Sequence, residues 1–197
     1  EDTIYIDESK GIALNKEVYN DEVIASLGLS KDTLVEQRAV EVGNIFTLGT
    51  RFSDALDLKF QTEEGESKSV FMGSYGIGPG RLMGTIVEVL SDDKGIIWPE
   101  EVAPFKMHIL ALGAGNDSGA EAMTKASELY ETLTQKGIEV LFDDRTGLSA
   151  GEKFADADLL GLPYRIVVSE RSLKEGGYEI KRRVEDKGKI VSLEEIL

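Results

Sequence analysis

From Met107 onward, apolar residues alternate between short unbroken runs and helical spacings, a pattern that predicts strand, helix, strand, helix, strand, then a hairpin and a terminal helix. Met107 to Leu112 reads as the first strand. Ser118 with Glu121 forms a capping box, and Met123, Ala126, Leu129, Tyr130 and Leu133 follow at helical spacing until Gly137 closes the helix. Ile138 to Phe142 is the next strand. A second capping box, Ser149 with Glu152, opens a helix carrying Phe154, Ala157 and Leu160 on one side, and Gly161 and Pro163 stop it. Arg165 to Val168 is a third strand, and Tyr178 to Val184 with Lys189 to Val191 form a hairpin around Glu185-Asp186-Lys187-Gly188. Such alternation implies a mixed sheet with parallel members and helices packed on it.

The earlier part is less regular. Thr3 to Ile6 and Ala39 to Leu48 read as strands, Asp21 to Leu29 as a short helix, and Lys59 to Gln61 with Ser69 to Tyr75 as an antiparallel pair around Glu63-Glu64-Gly65-Glu66. An antiparallel sheet ending in a glycine turn and a buried helix from Leu82 to Leu90 is the expected architecture. Between the two patterns lies Trp98-Pro99-Glu100-Glu101-Val102-Ala103-Pro104, whose prolines interrupt regular hydrogen bonding and bias the preceding residues to extended conformations. The expected division is residues 1–98, a connector at 99–104, and a second domain at 105–197. The fold class is thus α/β and α+β: a partial antiparallel sheet, then a mixed-sheet α/β domain.

Composition narrows the chemistry. The chain has no cysteine and a single histidine, His108, which excludes thiolate metal sites, disulfides and multi-histidine sites within it. Carboxylate-bound magnesium stays open. No stretch approaches the roughly 20 apolar residues of a membrane span, and the amino terminus carries no basic, apolar leader, so the cytoplasm is the expected compartment. A net charge of −15 opposes indiscriminate binding to nucleic acid. The residues 165–189 are locally basic, with 8 basic against 5 acidic side chains, which permits site-specific RNA contact and fits a solvated charged hairpin equally.

The run Val70-Phe71-Met72-Gly73-Ser74-Tyr75-Gly76-Ile77-Gly78-Pro79-Gly80-Arg81 carries the strongest functional signal. An apolar strand enters a turn with a glycine at alternate positions, and an arginine opens the next helix. Glycine lets a flat ligand approach the backbone and can adopt positive φ. Arginine supplies a planar cation that stacks on a base or forks onto phosphate oxygens. Together they read as a nucleotide site; an ordinary glycine-rich connection fits the turn alone.

Several motifs together resemble the bacterial prolyl-tRNA synthetases: Glu41-Val42-Gly43-Asn44-Ile45-Phe46-Thr47-Leu48-Gly49-Thr50-Arg51-Phe52-Ser53, Met72 to Arg81, Gly95-Ile96-Ile97-Trp98-Pro99, Asp143-Asp144-Arg145, and Phe154 to Pro163. Order and spacing agree from Val40 to the end, roughly four fifths of the chain. Residues 1–39 match more loosely, and a cysteine pair found there in some relatives is absent. The resemblance implies a class II aminoacyl-tRNA synthetase lacking its front: the third signature motif is present, whereas the first, which builds the dimer interface, and the second, which grips the α-phosphate, are not visible. The parent is therefore expected to be a homodimeric proline-tRNA ligase using proline, ATP, Mg2+ and proline tRNA, and the isolated chain to be unable to activate proline. Another class IIa synthetase, for glycine, threonine or histidine, and a non-catalytic RNA-binding relative are the alternatives.

Residue by residue, Arg81 matches the third-motif arginine that packs on adenine, with Gly76, Gly78 and Gly80 keeping the backbone low beneath it. Glu41 matches an acidic position that approaches ATP through magnesium. Asn44 stands where relatives often have histidine, and Ser74 where they have cysteine beside the proline pocket. Residues 105–197 resemble the anticodon-binding domain of class IIa synthetases. Proline anticodons present guanines, whose donor-rich edges suit carboxylates, so Asp143, Asp144 and Arg145 are the candidate anticodon readers; Asp143 and Asp144 also suit a turn that ends a strand. Lys153, Arg165, Lys181, Arg182 and Arg183 are candidate phosphate contacts. Phe154 reads as core, and His108 as a strand residue without a chemical role.

Overall fold

A computed structural model describes residues 2–113 and 117–197, the side chains of Asp117 and Ser118 excepted. Contacts divide the chain into two units, Glu1–Thr85 and Ile86–Leu197.

In the first unit, β1 (Asp2–Asp7), β2 (Ile12–Asn15) and β3 (Val35–Ala39) form an antiparallel sheet in the order β2-β1-β3. Its small core joins Leu14 to Ile24 and Leu29. Ile24 comes from α1 (Asp21–Ser26), whose start is capped by Asn20 Oδ1 accepting from Val23 N at 3.0 Å. The strand expected over 39–48 is two strands in two sheets: β3 ends at Ala39, and β4 (Gly43–Gly49) pairs elsewhere. After α2 (Arg51–Ala55), β5 (Lys59–Gln61) pairs with β6 (Ser67–Ser69) and not with the whole of 69–75. Val70 N still donates to Leu58 O, then the chain crosses over and β7 (Met72–Ile77) pairs antiparallel with β4. Periodicity cannot separate these pairings, because both strands present the same alternation to either neighbour.

The helix expected to be buried is α3 (Pro79–Val89), and none of its residues is buried. Its apolar stripe, with Met83 and Val89 well exposed, has no covering layer among the described residues. An amphipathic stripe fixes which face of a helix seeks cover; the cover itself must come from elsewhere.

The second unit is built on a five-stranded mixed sheet. Its strands are β8 (Met107–Ala111), β9 (Val140–Asp143), β10 (Tyr164–Val168), β11 (Tyr178–Arg182) and β12 (Lys189–Val191), in the order β12-β11-β10-β8-β9. β8 runs parallel to both β9 and β10, so helical crossovers are required, and α4 (Asp117–Gln135) and α5 (Ala150–Leu160) supply them. The Ser118–Glu121 capping box expected at the head of α4 lies outside the described residues. That of Ser149 and Glu152 at the head of α5 is present, and Gly161 ends α5 in the left-handed conformation at φ 68°. A short helix absent from the expectation, α6 (Glu170–Lys174), follows β10, and α7 (Leu193–Ile196) closes the chain.

Period-two alternation sorts the strands' side chains between two faces. Ile109, Ile166, Val168 and Val140 pack with Ala122, Ala126, Leu129 and Leu133 of α4. Leu110 and Val167 pack with Ala157 of α5. The stretch before β8 is tied to the end of α5, with Ile96 N donating to Leu159 O (3.1 Å) and Trp98 N to Gly161 O (3.1 Å). Beside it, Arg183 clamps Asp92 through two hydrogen bonds of 2.9 and 2.6 Å.

Candidate functional sites

In the first unit, register places Asn44 opposite Gly76 and Phe46 opposite Ser74, so Asn44, Ser74 and Gly76 share one face of the β4–β7 ribbon. Glu41 lies just before β4, and Arg81 in the first turn of α3. Arg81 Nη1 donates to Glu41 O at 3.0 Å and lies 3.7 Å from Glu41 Oε1, with both side chains about half exposed. At that exposure the ion pair adds little stability, about 0–1 kcal/mol. Its effect is to set the guanidinium beside the ribbon's end.

Gly76, Gly78 and Gly80 do not take positive φ, so the turn does not use that freedom. What it uses is the missing Cβ: a side chain atom at Gly76 or Gly80 would meet nothing within 4 Å, leaving open space on the ribbon face and at the helix start. Among the described residues no group of three or more carboxylate, histidine or cysteine side chains could hold a metal. Glu41 alone suits only an ion held chiefly by phosphate oxygens, the usual magnesium arrangement.

In the second unit the site forms where β9 runs out. Asp143, the last strand residue, turns inward and is buried. Its Oδ1 accepts from Arg145 N (3.1 Å) and Arg145 Nε (2.9 Å), and its Oδ2 from Arg145 Nη2 (2.8 Å). Asp156 on α5 receives a further bond from Nη2 at 2.7 Å. Beneath them Lys153, only 3 % exposed, donates to Ala111 O (3.0 Å) and Asp143 O (3.2 Å) and sits 3.5 Å from Asp143 Oδ1. The Arg145 side chain, the Arg145 amide and Lys153 hold the Asp143 carboxyl down to about 2 against the opposing effect of burial. The same bonds raise Arg145.

These contacts separate the three candidate readers. Asp143 forms the turn and is consumed by it, as its alternative reading allowed. Asp144 is exposed and has no partner among the described residues. Arg145 is pinned on one edge, and its Nη1 donors have no partner there either. Asp144, Arg145 and Asp156 line a cavity of about 470 Å³ with His108, Leu141 and Leu160.

Most of the candidate phosphate contacts are already engaged. Lys153 is buried as described. Arg165 pairs with Asp158 at 2.9 Å and lies 4.6 Å from the Phe154 ring centroid. Arg182 pairs with Glu100 at 2.8 Å, and Arg183 is buried on Asp92. Lys181 remains without a side-chain partner among the described residues. Sequence reasoning missed Asp156, Asp92 and Glu100, because their partners lie 11, 91 and 82 residues away and no local spacing marks them.

Comparison with known proteins matches both units. A model of the "tRNA synthetase class II core domain (G, H, P, S and T)" matches residues 10–90, and one of the "Anticodon binding domain" matches 102–197. The chain is 49% identical over 166 residues to a proline-tRNA ligase of Persephonella marina, covering 84% of this chain and 29% of that protein. It is 46% identical over 165 residues to one of Bacillus pumilus, covering 84% and 28%. Among solved structures, Giardia lamblia prolyl-tRNA synthetase in complex with prolyl-adenylate matches with a TM-score of 0.65 and 26% identity, over 83% of this chain and 33% of that one. The chain thus spans under a third of the length of these curated relatives.

Proposed function

We infer that this chain, homologous to the prolyl-tRNA ligases along 84% of its length, furnishes the ATP-facing end of a proline-activating site and the anticodon-binding domain of such a ligase. The observation that carries this reading is that the class II core and anticodon-binding models fall in succession, at 10–90 and 102–197, on a chain 49% identical to a proline-tRNA ligase. The proposed division is residues 1–98, connector 99–104 and residues 105–197. It follows those matches and not the contact boundary at Thr85.

In the proposed reaction proline's carboxylate attacks the α-phosphorus of ATP, giving prolyl-adenylate and pyrophosphate, and the tRNA 3′ end then takes the prolyl group. No protein nucleophile is needed, so the residues' work is alignment and charge neutralisation. Arg81 packs on adenine, held in place by its bond to Glu41 O. Gly76, Gly78 and Gly80 leave the backbone bare beneath the nucleotide, and Asn44 and Ser74, on the same ribbon face as Gly76, line the floor toward proline. Glu41 would hold magnesium together with ATP phosphates; the ion would neutralise phosphate charge.

At the other end Asp144 and the free edge of Arg145 read an anticodon guanine, the carboxylate accepting from its N1–H and amine and the guanidinium donating to O6 or N7. Asp143 and Lys153 position Arg145. The parent works as a cytoplasmic homodimer on proline tRNA; no helix among the described residues is long and apolar enough to cross a membrane.

Two measurements test this. In a parent-length ligase, Arg81→Ala severely depresses proline-dependent pyrophosphate exchange, and near-normal exchange removes Arg81 from the site. The 197-residue chain shows no such exchange, yet binds a proline anticodon stem-loop. Asp144→Asn lowers its discrimination of guanine from adenine by a large part of the roughly 1.5–3 kcal/mol of a charged hydrogen bond.

A further inference from the structure

Two motifs that the proposed reaction leaves without a task, Gly95 to Pro99 and the end of Phe154 to Pro163, meet each other in the second unit. Ile96 N donates to Leu159 O and Trp98 N to Gly161 O, each at 3.1 Å. The two backbones lie so close that a Cβ on Gly95 would collide with Leu159 Cα, and one on Gly161 with Ile96 O. Glycine is therefore required on both sides of this seam.

Arg183, only 8 % exposed, latches the seam from the side. Besides its two bonds to Asp92 it donates from Nε to Asp158 O at 3.1 Å, and so ties the turn that follows α3 to the last turn of α5. The connector is held to the same unit, because Glu100 accepts from Tyr164 Oη at 2.9 Å and from Arg182 Nη2 at 2.8 Å. Ile86 to Val89, the end of α3, already belong to the second unit. From there to the start of β8 the chain is anchored at the latch, the seam and Glu100, where an unattached stretch of that length would be a flexible tether.

Anchoring of this kind matters for a ligand held at two places. Under the proposed function one tRNA presents its 3′ end for charging and its anticodon to the Asp144–Arg145 loop. Two grips reinforce each other only when their linkage holds them at the spacing the ligand offers. A loose tether spreads them over many spacings and lowers the effective concentration of the second grip.

We propose that Arg183 is a positioning residue for tRNA charging: by latching Asp92 to α5 it fixes the path of the chain between α3 and the anticodon-binding domain, so that a single tRNA engages both sites. The inference rests on the function proposed above and touches neither proline activation nor the reading of guanine.

The test uses a parent-length ligase in which Asp92→Lys sets two cations against each other and opens the latch. KM for whole proline tRNA in aminoacylation rises about three- to tenfold with kcat little changed, whereas tRNA-independent pyrophosphate exchange and affinity for an isolated anticodon stem-loop keep their wild-type values. Asp93→Lys makes the same charge change at the next residue, where no bond to Arg183 is lost, and leaves KM unaltered. An unchanged KM in Asp92→Lys, an equal rise in both variants, or a stem-loop affinity that falls along with that for whole tRNA overturns the proposal.

Because a reversed charge can unfold the domain, Asp92→Asn is measured beside it. Asparagine keeps an acceptor for the turn's bonds from Lys94 N and Gly95 N, and its KM moves in the same direction by less. In the wild-type 197-residue chain the Ile96 and Trp98 amides exchange hydrogen as slowly as those of β10; exchange at the rate of an unfolded chain overturns the proposal. If stem-loop binding and pyrophosphate exchange follow the proposed function while KM does not move, only this inference fails. If the ligase charges no proline tRNA, the functional reading fails and this inference with it.

Discussion

The two units handle their apolar surface in opposite ways. In the second, Ile109 and Leu110 sit at 0 % exposure between two helical layers, and adjacent residues of one strand serve opposite cores. In the first, the β4–β7 ribbon leaves Ile45 82 % and Tyr75 85 % exposed, and α3 buries nothing fully. Charges at the two candidate sites differ in the same way, although the first unit buries Asp7 under bonds from Ser9, Lys10 and Thr33. The second unit ties Asp143, Arg145, Lys153 and Arg183 into bonded clusters, whereas Arg81 and Glu41 meet half-exposed. The anticodon-binding half carries its own core. Apart from the small core around Leu14 and Ile24, the first unit's β4–β7 ribbon and α3 form a surface, with open space at Gly76 and Gly80 and apolar faces that nothing among the described residues covers.

That contrast breaks first at the cores. Ile109→Ala removes buried methyl groups from a closed layer and costs about 2–5 kcal/mol, whereas Ile45→Ser changes stability by less than about 0.5 kcal/mol. Urea unfolding followed by fluorescence of Trp98, the chain's only tryptophan, reads the former, and hydrogen exchange of β4 the latter. Comparable losses at the two positions would erase the distinction.

A smaller effect separates two neighbouring cations. Arg183→Ala breaks the two-bond clamp on Asp92 and the bond from Nε to Asp158 O, and costs about 1.5–3 kcal/mol in the same unfolding assay. Lys181→Ala leaves stability unchanged and instead flattens the salt dependence of RNA binding. RNA binding lost through Arg183 without loss of stability would return that residue to the phosphate contacts.

Acid acts on the second unit in two steps. The folded value of His108, about 4, lies below its ordinary 6.5, so between these values the unfolded chain takes up a proton that the folded chain refuses, and stability falls with pH. Asp143, held to about 2 against 3.8, contributes stability that is present above the ordinary value and lost as pH drops below it. Urea midpoints measured from pH 7 to 3 should fall in both windows, and His108→Asn should flatten the upper one. A rise in stability between pH 6.5 and 4 would contradict the burial of a neutral imidazole.

The smallest effect belongs to Arg81→Ala, expected to alter stability by less than about 0.5 kcal/mol because its ion pair is solvent-screened. A large destabilisation would assign Arg81 to the fold and weaken its reading as a nucleotide contact.

Local grammar alone sufficed for most elements of the second unit, the short helix α6 excepted. The Ser149–Glu152 box and Gly161 bound α5 as their spacing requires, and the turn Glu185 to Gly188 lies between the paired strands β11 and β12. These signals lie within a few residues of one another, and the conformational preferences behind them act at that range. Motifs such as Met72 to Arg81 and Asp143 to Arg145 likewise marked the segments on which the proposed sites rest. Tertiary structure decided whatever depended on partners far along the chain. It sent β7 to β4 rather than β5, because any strand with the right alternation can pair with either. It divided Asp143 from Asp144, two identical side chains in sequence, by turning the first inward to Arg145 and Lys153 and leaving the second in water. It also buried His108 with its Nδ1 unpaired: a strand's period assigns a face, but only what packs on that face decides whether a buried nitrogen finds a partner.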